Sequence, residues 1–379
     1  MKIAYTTYDD ANNIGAWSGT TYNIAKALIR QGFEVTFIDK LKRFYYNLFK
    51  TKSLYYKLIN KHYERLREPF INHGFANQIK AKIKKFSPDL IFSAGSLPIS
   101  SLECAQPIIY WSDATFAGLM NFHFGYYNLN KKTIENGNIL EQSALDKSSL
   151  ILFSSEWAAK TAIDFYMVDS NKIHIVPFGA NIETSFSFED IKKVILVREF
   201  NPIKILFTAV SWYNKGGDIL INAVRELIKC GYNIELNIIG TTPQLEKEDY
   251  KFVKMHGFLR KWIHEENNKI KELYATSHIF IMPTRADAFG IVFCEANAFG
   301  LPAIGPDLGG VPTIIKNGIN GYLIEHENAV ESIVNKFIEI FSDRDSYNDL
   351  CLSSYNEYKK RLNWDVSAKK VNELIKQLY

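Results

Sequence analysis

Short apolar runs alternate along the chain with longer stretches in which apolar and polar residues recur at helical spacing. This alternation is typical of parallel β-strands joined by α-helices. The first half of the chain contains the candidate strands 2–6, 34–38, 90–93, 108–111, 150–153 and 173–176. The pattern then restarts with the candidate strands 204–209, 235–239, 279–282 and 302–304. Two successive series of this kind predict an α/β protein with two Rossmann-like, doubly wound domains facing each other across a cleft.

The length of the chain also favours two domains, because 379 residues exceed what one compact core usually supports. The boundary is predicted within 181–201, a stretch of mixed charge that has no clean strand pattern. We therefore expect an N-terminal domain over 1–185 and a C-terminal domain over 200–360. A cleft between two such domains is a natural place to bring two substrates together.

The composition describes an ordinary globular protein, with 47% hydrophobic and 23% charged residues. A net charge of +4 is too small to indicate a nucleic-acid partner. The cysteines are far apart and form no metal or disulfide pattern, which favours a reducing compartment. The N-terminal stretch is predicted to be a strand rather than a signal peptide, and no run approaches the roughly 20 apolar residues that cross a bilayer. We expect a cytoplasmic protein whose membrane contact, if it has one, is peripheral.

The segment 40–70 departs from the general pattern because basic and aromatic residues alternate in it. Its basic residues are Arg43, Lys50, Lys52, Lys57, Lys61, Arg65 and Arg67, and the aromatic residues between them are Phe44, Tyr45, Tyr46, Phe49, Tyr55 and Tyr56. A basic, aromatic helix can lie on an anionic membrane or bind an anionic acceptor. It can equally be a solvated helix whose aromatic side packs on its own domain.

The stretch 279–321 carries the most chemistry. A buried strand is predicted to end in a loop that contains Asp287, Phe289 and Gly290. A helix beginning at Ile291 follows, and a second glycine loop at 309–310 opens another helix. Helix N-termini at the carboxyl ends of parallel strands favour an anion such as a diphosphate, and glycines allow the backbone to approach it closely.

The two acids of this stretch are predicted to have separate roles. Asp287 lies in the loop, where it could contact sugar hydroxyls or a developing oxocarbenium charge. Glu295 lies about two helical turns further on and suits the vicinal hydroxyls of a ribose. In the alternative interpretation Asp287 caps the helix and Glu295 only supports it.

These residues together resemble glycosyltransferase family 4. The family pattern is E-G-F-G, then E-A-x-A-x-G-x-P, then G-G, and the matching segments here are 287–290, 295–302 and 309–310. This chain has Asp287 in place of the first Glu, Ala288 in place of a Gly, and Thr313 in place of an acid after the glycine pair. The resemblance implies the GT-B fold, a nucleotide-sugar donor bound around Phe289, Gly290, Ile291, Glu295, Gly309 and Gly310, and retention of anomeric configuration. It also implies that no cofactor or bound metal is required.

The resemblance extends to other positions. Lys215, in the segment 211–218, would bind the donor diphosphate. Relatives often carry an Arg shortly before this Lys, where this chain has Val210 and Trp212, so Arg285 and Arg260 become candidates for the second positive charge. The last helix, 364–379, would cross back to the first domain, as it does in GT-B enzymes.

Two residues of the first domain complete the predicted site. Gly19 would lie against the donor phosphate and the acceptor, although Thr20 could simply cap the following helix. Asp113 follows a predicted strand at a position where many relatives carry a His near the reacting sugar. It could orient a hydroxyl of donor or acceptor, and we place it with Asp287 and Glu295 among the candidate catalytic residues.

The sequence therefore predicts a hexosyltransferase that uses a nucleotide-sugar donor and a glycan or lipid-linked acceptor, with cell-envelope polysaccharide as the expected setting. Two alternatives remain open, namely a nucleotide-sugar epimerase of the same fold and a non-catalytic sugar-binding protein. A nicotinamide dehydrogenase is disfavoured because no G-x-G-x-x-G follows the first strand. The sequence leaves open the donor sugar, the base, the acceptor and the oligomeric state.

Overall fold

A computed structural model describes residues 1–184 and 186–378. The chain forms two compact units. Unit 1 consists of Met1–Pro177 together with the chain from Ser367 onward, and unit 2 of Phe178–Val366. Within the described residues each unit contains one six-stranded parallel sheet with helices, which confirms the predicted α/β class with two Rossmann-like sheets.

The sheet of unit 1 has the order β2-β1-β3-β4-β5-β6. Its strands are β1 (Lys2–Thr6), β2 (Glu34–Ile38), β3 (Leu90–Ala94), β4 (Ile108–Ser112), β5 (Leu150–Phe153) and β6 (Ile173–Ile175). Its helices are α1 (Thr20–Arg30), α2 (Lys50–Leu58), α3 (Pro69–Phe86), α4 (Phe116–Leu119), α5 (Lys131–Lys147) and α6 (Glu156–Tyr166). Strands β3, β4 and β5 are buried along their whole length, which explains why they appear in the sequence as unbroken apolar runs.

The sheet of unit 2 has the order β12-β11-β10-β7-β8-β9. Its strands are β7 (Ile203–Thr208), β8 (Ile234–Ile239), β9 (Val253–Met255), β10 (Ile279–Ile281), β11 (Ala303–Pro306) and β12 (Gly321–Ile324). Its helices are α7 (Phe188–Leu196), α8 (Gly217–Lys229), α9 (His264–Thr276), α10 (Ile291–Asn297), α11 (Val311–Ile314), α12 (Ala329–Phe341) and α13 (Arg344–Arg361). The last helix, α14 (Trp364–Lys376), begins in unit 2 and continues in unit 1.

Three elements differ from the sequence prediction. The strands β9 and β12 were not predicted, because both are short and lie at the edges of their sheet. The segment 40–70 is not one long helix, since α2 spans only Lys50–Leu58 and Tyr45 and Asn60 interrupt the helical backbone with φ values of 65° and 53°. Among the described helices, none is both long and apolar enough to cross a membrane.

Candidate functional site

In each unit the strand order reverses direction at one point of the sheet. In unit 2 the chain runs from β7 outward to β9 and then returns to the other side of β7 with β10. In open parallel sheets ligands bind at the carboxyl ends of the strands beside such a switch point. The loops that follow β7 and β10 contain Lys215 and Asp287, so both residues lie at the expected position.

Lys215 and Asp287 form an ion pair at this switch point. The Lys215 Nζ lies 2.7 Å from Asp287 Oδ2 and also donates to the Ala286 carbonyl at 3.0 Å. The exposed fractions of the two side chains are 21% and 17%, so a solvent-borne ligand can reach the pair. The Lys215 ammonium is thus held beside the Asp287 carboxylate, for which the sequence predicts a contact with the sugar.

Asp287 does not cap the following helix, which settles one of the alternatives. The N-cap of α10 is Gly290, with φ 89° and ψ 49°, and no side chain caps this end. Asp287 Oδ1 instead accepts a hydrogen bond from the Phe289 N–H at 3.4 Å, inside the loop. Gly290 is required here because its backbone lies in the left-handed region.

The second glycine loop packs directly on the first. The Gly310 N–H donates to the Asp287 carbonyl at 3.2 Å, and a Cβ on Gly310 would lie 2.1 Å from the Ala288 oxygen. Ile291 begins α10 and Gly309 precedes α11, so two helices start beside Asp287. The contact requires glycine at 310 and fixes the shape of the loop around Asp287.

Glu295 is held inside unit 2 by two polar partners. Its side chain has no exposed surface, one carboxylate oxygen forms an ion pair with the Lys261 ammonium, and the other accepts from the Tyr274 hydroxyl at 3.1 Å. Burial, and next the nearby Glu295 charge, raise the pKa of Tyr274 well above its usual value. Since the side chain of Lys261 is 23% exposed, it is the member of the group nearest to solvent.

In unit 1 the structure brings Trp17 and Asp113 together. The Trp17 indole Nε1 donates to Asp113 Oδ2 at 3.1 Å. Gly19, with φ 91°, is itself the N-cap of α1, and Thr20 is the first residue of that helix, so the alternative of a Thr20 cap is wrong. Asp113 follows β4, and the loop with Trp17 and Gly19 follows β1, at the same edge of a parallel sheet.

Comparison with known families identifies both halves of the chain. Residues 188–357 match the family described as "Glycosyl transferases group 1", and residues 19–184 match "Glycosyltransferase Family 4". The chain belongs to the group 1, family 4 glycosyltransferases. This confirms the resemblance inferred from the 287–310 motif.

Three similar proteins place this glycosyltransferase among its relatives. It is 28% identical over 204 residues, 53% of each chain, to an uncharacterized 41.2 kDa protein in the cps region of Klebsiella pneumoniae. It is 25% identical over 222 residues, 56% of this chain and 55% of the relative, to the UDP-Gal:alpha-D-GlcNAc-diphosphoundecaprenol alpha-1,3-galactosyltransferase of Escherichia coli. The chain thus matches about half the length of these curated relatives. The structure of Anabaena Alr3699/HepE in complex with UDP superimposes with a TM-score of 0.64 at 16% identity and covers 100% of both chains, which shows the shared GT-B fold.

The arginines considered for the second positive charge of this glycosyltransferase are engaged elsewhere. Arg285 forms a two-pronged pair with Asp218 at 2.7 and 2.8 Å and stacks on the Tyr213 ring at 3.9 Å. Arg260 pairs with Glu266. Lys261, rather than either arginine, contacts the site carboxylate Glu295.

Sequence reasoning missed Lys261 and Tyr274, the partners of Glu295. Lys261 lies in the loop after β9, an edge strand that was not predicted, and Tyr274 lies on α9. Their separations from Glu295 are 34 and 21 residues, so no local spacing signals the contacts. Across 1–184 and 186–378, no group of three or more His, Cys, Asp or Glu side chains is arranged to hold a metal ion.

Proposed function

We propose that this glycosyltransferase moves a hexose-type sugar from a nucleotide-sugar donor to a glycan or lipid-linked acceptor, with retention of configuration. The predicted C-terminal domain, 200–360, would hold the donor, and the N-terminal domain, 1–185, would present the acceptor. The observation that carries the proposal is the solvent-accessible Lys215–Asp287 pair at the switch point between β7 and β10. An ammonium beside a carboxylate suits a donor that has a diphosphate on one side and a sugar on the other.

The roles follow from charge. Lys215 exchanges part of its contact with Asp287 for the donor diphosphate and meets the charge that grows there as the glycosidic bond breaks. Asp287, relieved of its partner, accepts from sugar hydroxyls or faces the positive anomeric centre. The loops of Gly290, Gly309 and Gly310 shape the space around the diphosphate. Glu295 accepts from the ribose hydroxyls.

The transfer itself requires no enzyme nucleophile in this scheme. The bond between the anomeric carbon and the diphosphate oxygen breaks, and a bond to the acceptor oxygen forms on the same face of the sugar. The proton of the acceptor hydroxyl passes to the departing diphosphate. Asp113, oriented by Trp17, would hold a hydroxyl group of one of the substrates. We propose that the reaction requires neither a cofactor nor a metal, so activity should persist in EDTA.

A thermal-shift screen with UDP, GDP and ADP, and with their hexose conjugates, tests the donor. A ligand that binds the folded state at about 100 times its dissociation constant adds about 2.7 kcal/mol of stability. UDP is the first candidate, because the similar Anabaena protein was crystallised with it. Transfer is then measured with the bound donor and isolated cell-envelope glycans or lipid-linked saccharides.

Replacing Lys215 by Met should lower kcat/KM for transfer by about 100-fold or more, since one charge on the developing leaving group is lost. Glu295→Gln should raise the donor KM by about 10- to 100-fold through weaker ribose binding. Lys229→Met is the matched control, because Lys229 is a 70% exposed lysine on α8 of the same unit. Wild-type turnover in folded Lys215→Met protein would remove Lys215 from the site.

Release of an altered free sugar or nucleotide sugar without any acceptor would identify an epimerase instead.

We further propose that the enzyme is cytoplasmic and contacts the inner face of the membrane through α2 and its flanking turns. Large apolar side chains there are left in solvent: Leu48, Leu54 and Leu58 are 70%, 61% and 79% exposed. Lys50 and Lys57 lie on the same short helix. Basic and apolar groups exposed together match an anionic lipid surface. Tyr46 and Phe49 turn inward and pack on the core of unit 1, so the helix is fixed from its other side.

A further inference from the structure

Three arginines of unit 1 lie over aromatic rings: Arg43 and Arg65 share Tyr46, and Arg67, two residues after Arg65, lies over Phe116. We call them the arginine cluster. The Arg43 guanidinium lies 5.4 Å from the centre of the Tyr8 ring and 5.9 Å from that of Tyr46. The Arg65 guanidinium stacks on the same Tyr46 ring, 3.9 Å from its centre. The Arg67 guanidinium lies 4.4 Å from the centre of the Phe116 ring, and its charge opposes the rise in the pKa of Tyr8 that burial causes.

The arginine cluster lies at the switch point of the unit 1 sheet. Strand order reverses between β1 and β3, and Tyr8 follows β1 directly. On the β3 side, Ser96 donates to Glu141 at 2.7 Å, and Glu141 Oε2 lies 3.6 Å from Arg67 Nη1. The cluster is therefore anchored to both strands that border the position where parallel sheets bind ligands.

Part of the donor capacity of the cluster is unused. Arg67 is 6% exposed, and its Nη1 makes no hydrogen bond but forms the ion pair with Glu141 at 3.6 Å, while Tyr126 hydrogen-bonds the guanidinium. The Nη1 of Arg65 is likewise buried without a hydrogen-bond partner. A buried donor without an acceptor destabilises the fold, and more so when it is charged. The ion pair with Glu141 offsets part of this cost at Arg67 Nη1, whereas Arg65 Nη1 has no hydrogen-bond partner to offset it.

The nearby carboxylates leave Arg65 Nη1 without a hydrogen-bond acceptor and meet Arg67 Nη1 only through the ion pair with Glu141 at 3.6 Å. Asp9 pairs with Arg43, and Glu141 is shared between Arg67, Ser96 and the Tyr110 hydroxyl. Glu64 lies near Arg67, but its side chain accepts from the Leu66 N–H at 3.2 Å. Planar guanidinium groups that present several N–H donors side by side match a tetrahedral oxyanion with several acceptor oxygens.

We infer that the arginine cluster binds a phosphate or diphosphate group carried by the acceptor. That the anion belongs to an acceptor depends on the proposed transferase function, whereas the anion site itself depends only on the geometry of unit 1. The phosphate can belong to a soluble sugar phosphate or to a lipid headgroup, and both present the same oxygens to Arg65 and Arg67. Arg43, the most exposed of the three, would receive the anion first.

Isothermal titration with inorganic pyrophosphate tests the site. Arg43→Gln and Arg65→Gln are the test variants, because Arg67 is buried in an ion pair and its replacement risks the fold. Lys84→Gln, at an exposed position on α3, is the matched control. Lys215→Met removes the cation proposed to bind diphosphate in unit 2. We expect a site that persists in Lys215→Met, weakens about tenfold in each arginine variant and stays within twofold in Lys84→Gln.

Two further arms identify the source of the phosphate. N-acetylglucosamine 1-phosphate and phosphatidylglycerol vesicles are titrated separately, with N-acetylglucosamine and phosphatidylcholine vesicles as neutral partners. Arginine-dependent binding of the sugar phosphate indicates a soluble acceptor, and arginine-dependent binding of the anionic vesicles alone indicates a lipid-borne phosphate.

The proposal is overturned if pyrophosphate binds equally well to wild type, Arg43→Gln and Arg65→Gln, or if Lys215→Met alone abolishes all binding. Failure of the donor proposal has a different signature. In that case no nucleotide stabilises the wild-type protein, whereas arginine-dependent anion binding is unaffected.

Discussion

At Glu295 a carboxylate is held in the protein interior by one ammonium and one phenol. Glu295 has no exposed side-chain surface, so the ribose of the proposed donor would reach it only if a neighbour moved. The partly exposed Lys261 is the neighbour that can move, because its aliphatic stem carries the charge toward solvent. Lys261 thus neutralises Glu295, and under the proposed function it is the residue that would make room for the donor.

Replacing Lys261 by Met should destabilise the protein by about 3–5 kcal/mol, since it leaves a buried carboxylate without its cation. The Lys261→Met/Glu295→Gln double variant should recover most of this loss. Free energies of unfolding from urea titration check both. The control Lys269→Met breaks the exposed pair with Glu272 and should cost no more than about 1 kcal/mol. Equal losses in Lys261→Met and Lys269→Met would show that the Glu295 contact is not buried in solution.

His278 is a second buried titratable group and supports the fold of unit 2. Its Nδ1 accepts from the Lys204 N–H at 2.9 Å, and its Nε2 donates to the Glu199 carbonyl at 2.9 Å. This arrangement fits only the neutral ring. Burial first, and then the nearby Arg198 charge, lower the pKa of His278 from 6.5 to about 3.

The free energy of unfolding should therefore fall as the pH falls below 6.5, because His278 then binds a proton in the unfolded chain but not in the folded protein. The loss is about 1.4 kcal/mol per pH unit down to about pH 3. Urea unfolding at pH 7.5, 6.0 and 5.0 measures the slope. His278→Gln should flatten this slope, whereas replacement of the exposed His326 by Gln should leave it as in wild type. An unchanged slope in His278→Gln would assign the acid sensitivity to other groups.

Among the elements, α2 combines weak burial with a strongly patterned sequence. None of its residues is buried, so its helical state is not maintained by a core of its own. Short helices are marginal in water without tertiary support. The aromatic contacts of Tyr46 before it and of Tyr56 with Tyr63, at 5.4 Å, provide that support from one side. The opposite side is available for a membrane.

The double variant Leu54→Glu/Leu58→Glu should abolish binding to phosphatidylglycerol vesicles without changing the fold. Each leucine loses the burial of one large apolar side chain, about 1.5–3 kcal/mol, and gains a negative charge facing anionic lipid. Vesicle co-sedimentation measures binding, and circular dichroism checks the fold. Phe165→Glu, at a 64% exposed aromatic on α6, is the control. Vesicle binding by the double variant at the wild-type level would contradict the proposed contact.

For the molecule as a whole, each unit folds around its own parallel sheet and has its own switch point. The proposed donor contacts belong to unit 2, and the arginine cluster belongs to unit 1. A nucleotide that binds as proposed should act first on the loops after β7 and β10.

Amide hydrogen exchange with the best nucleotide of the thermal screen should show its largest slowing in 211–217 and 285–291. Binding to the folded state raises the free energy of the local openings that expose these amides. The same experiment on Lys215→Met should show little slowing. Slowing of exchange confined to unit 1 would place the nucleotide in unit 1 and contradict the proposed donor site in unit 2.

Most elements could be predicted from the sequence, because a buried parallel strand is an unbroken apolar run and a helix repeats its apolar residues at a fixed spacing. The edge strands β9 and β12 escaped prediction because they are short and half exposed. The motif of Asp287, Gly290, Glu295 and Gly310 can be recognised from the sequence, because the short segments of the family pattern follow one another closely in the chain. The segment 40–70 was predicted as one element, and its interruption at Tyr45 and Asn60 was not foreseen.

The sequence by itself therefore determined the α/β class, the two sheets, the family and the acidic and glycine-rich motif, all of which depend on residues that lie close together in the chain. Only the tertiary structure decided the partners. The pairs Lys215–Asp287 and Lys261–Glu295, and the contacts of Arg43 with Tyr8 and of Arg65 with Tyr46, join residues that lie far apart in the chain. Strand order brings distant loops to one edge of a sheet, and no local pattern of residues encodes that order.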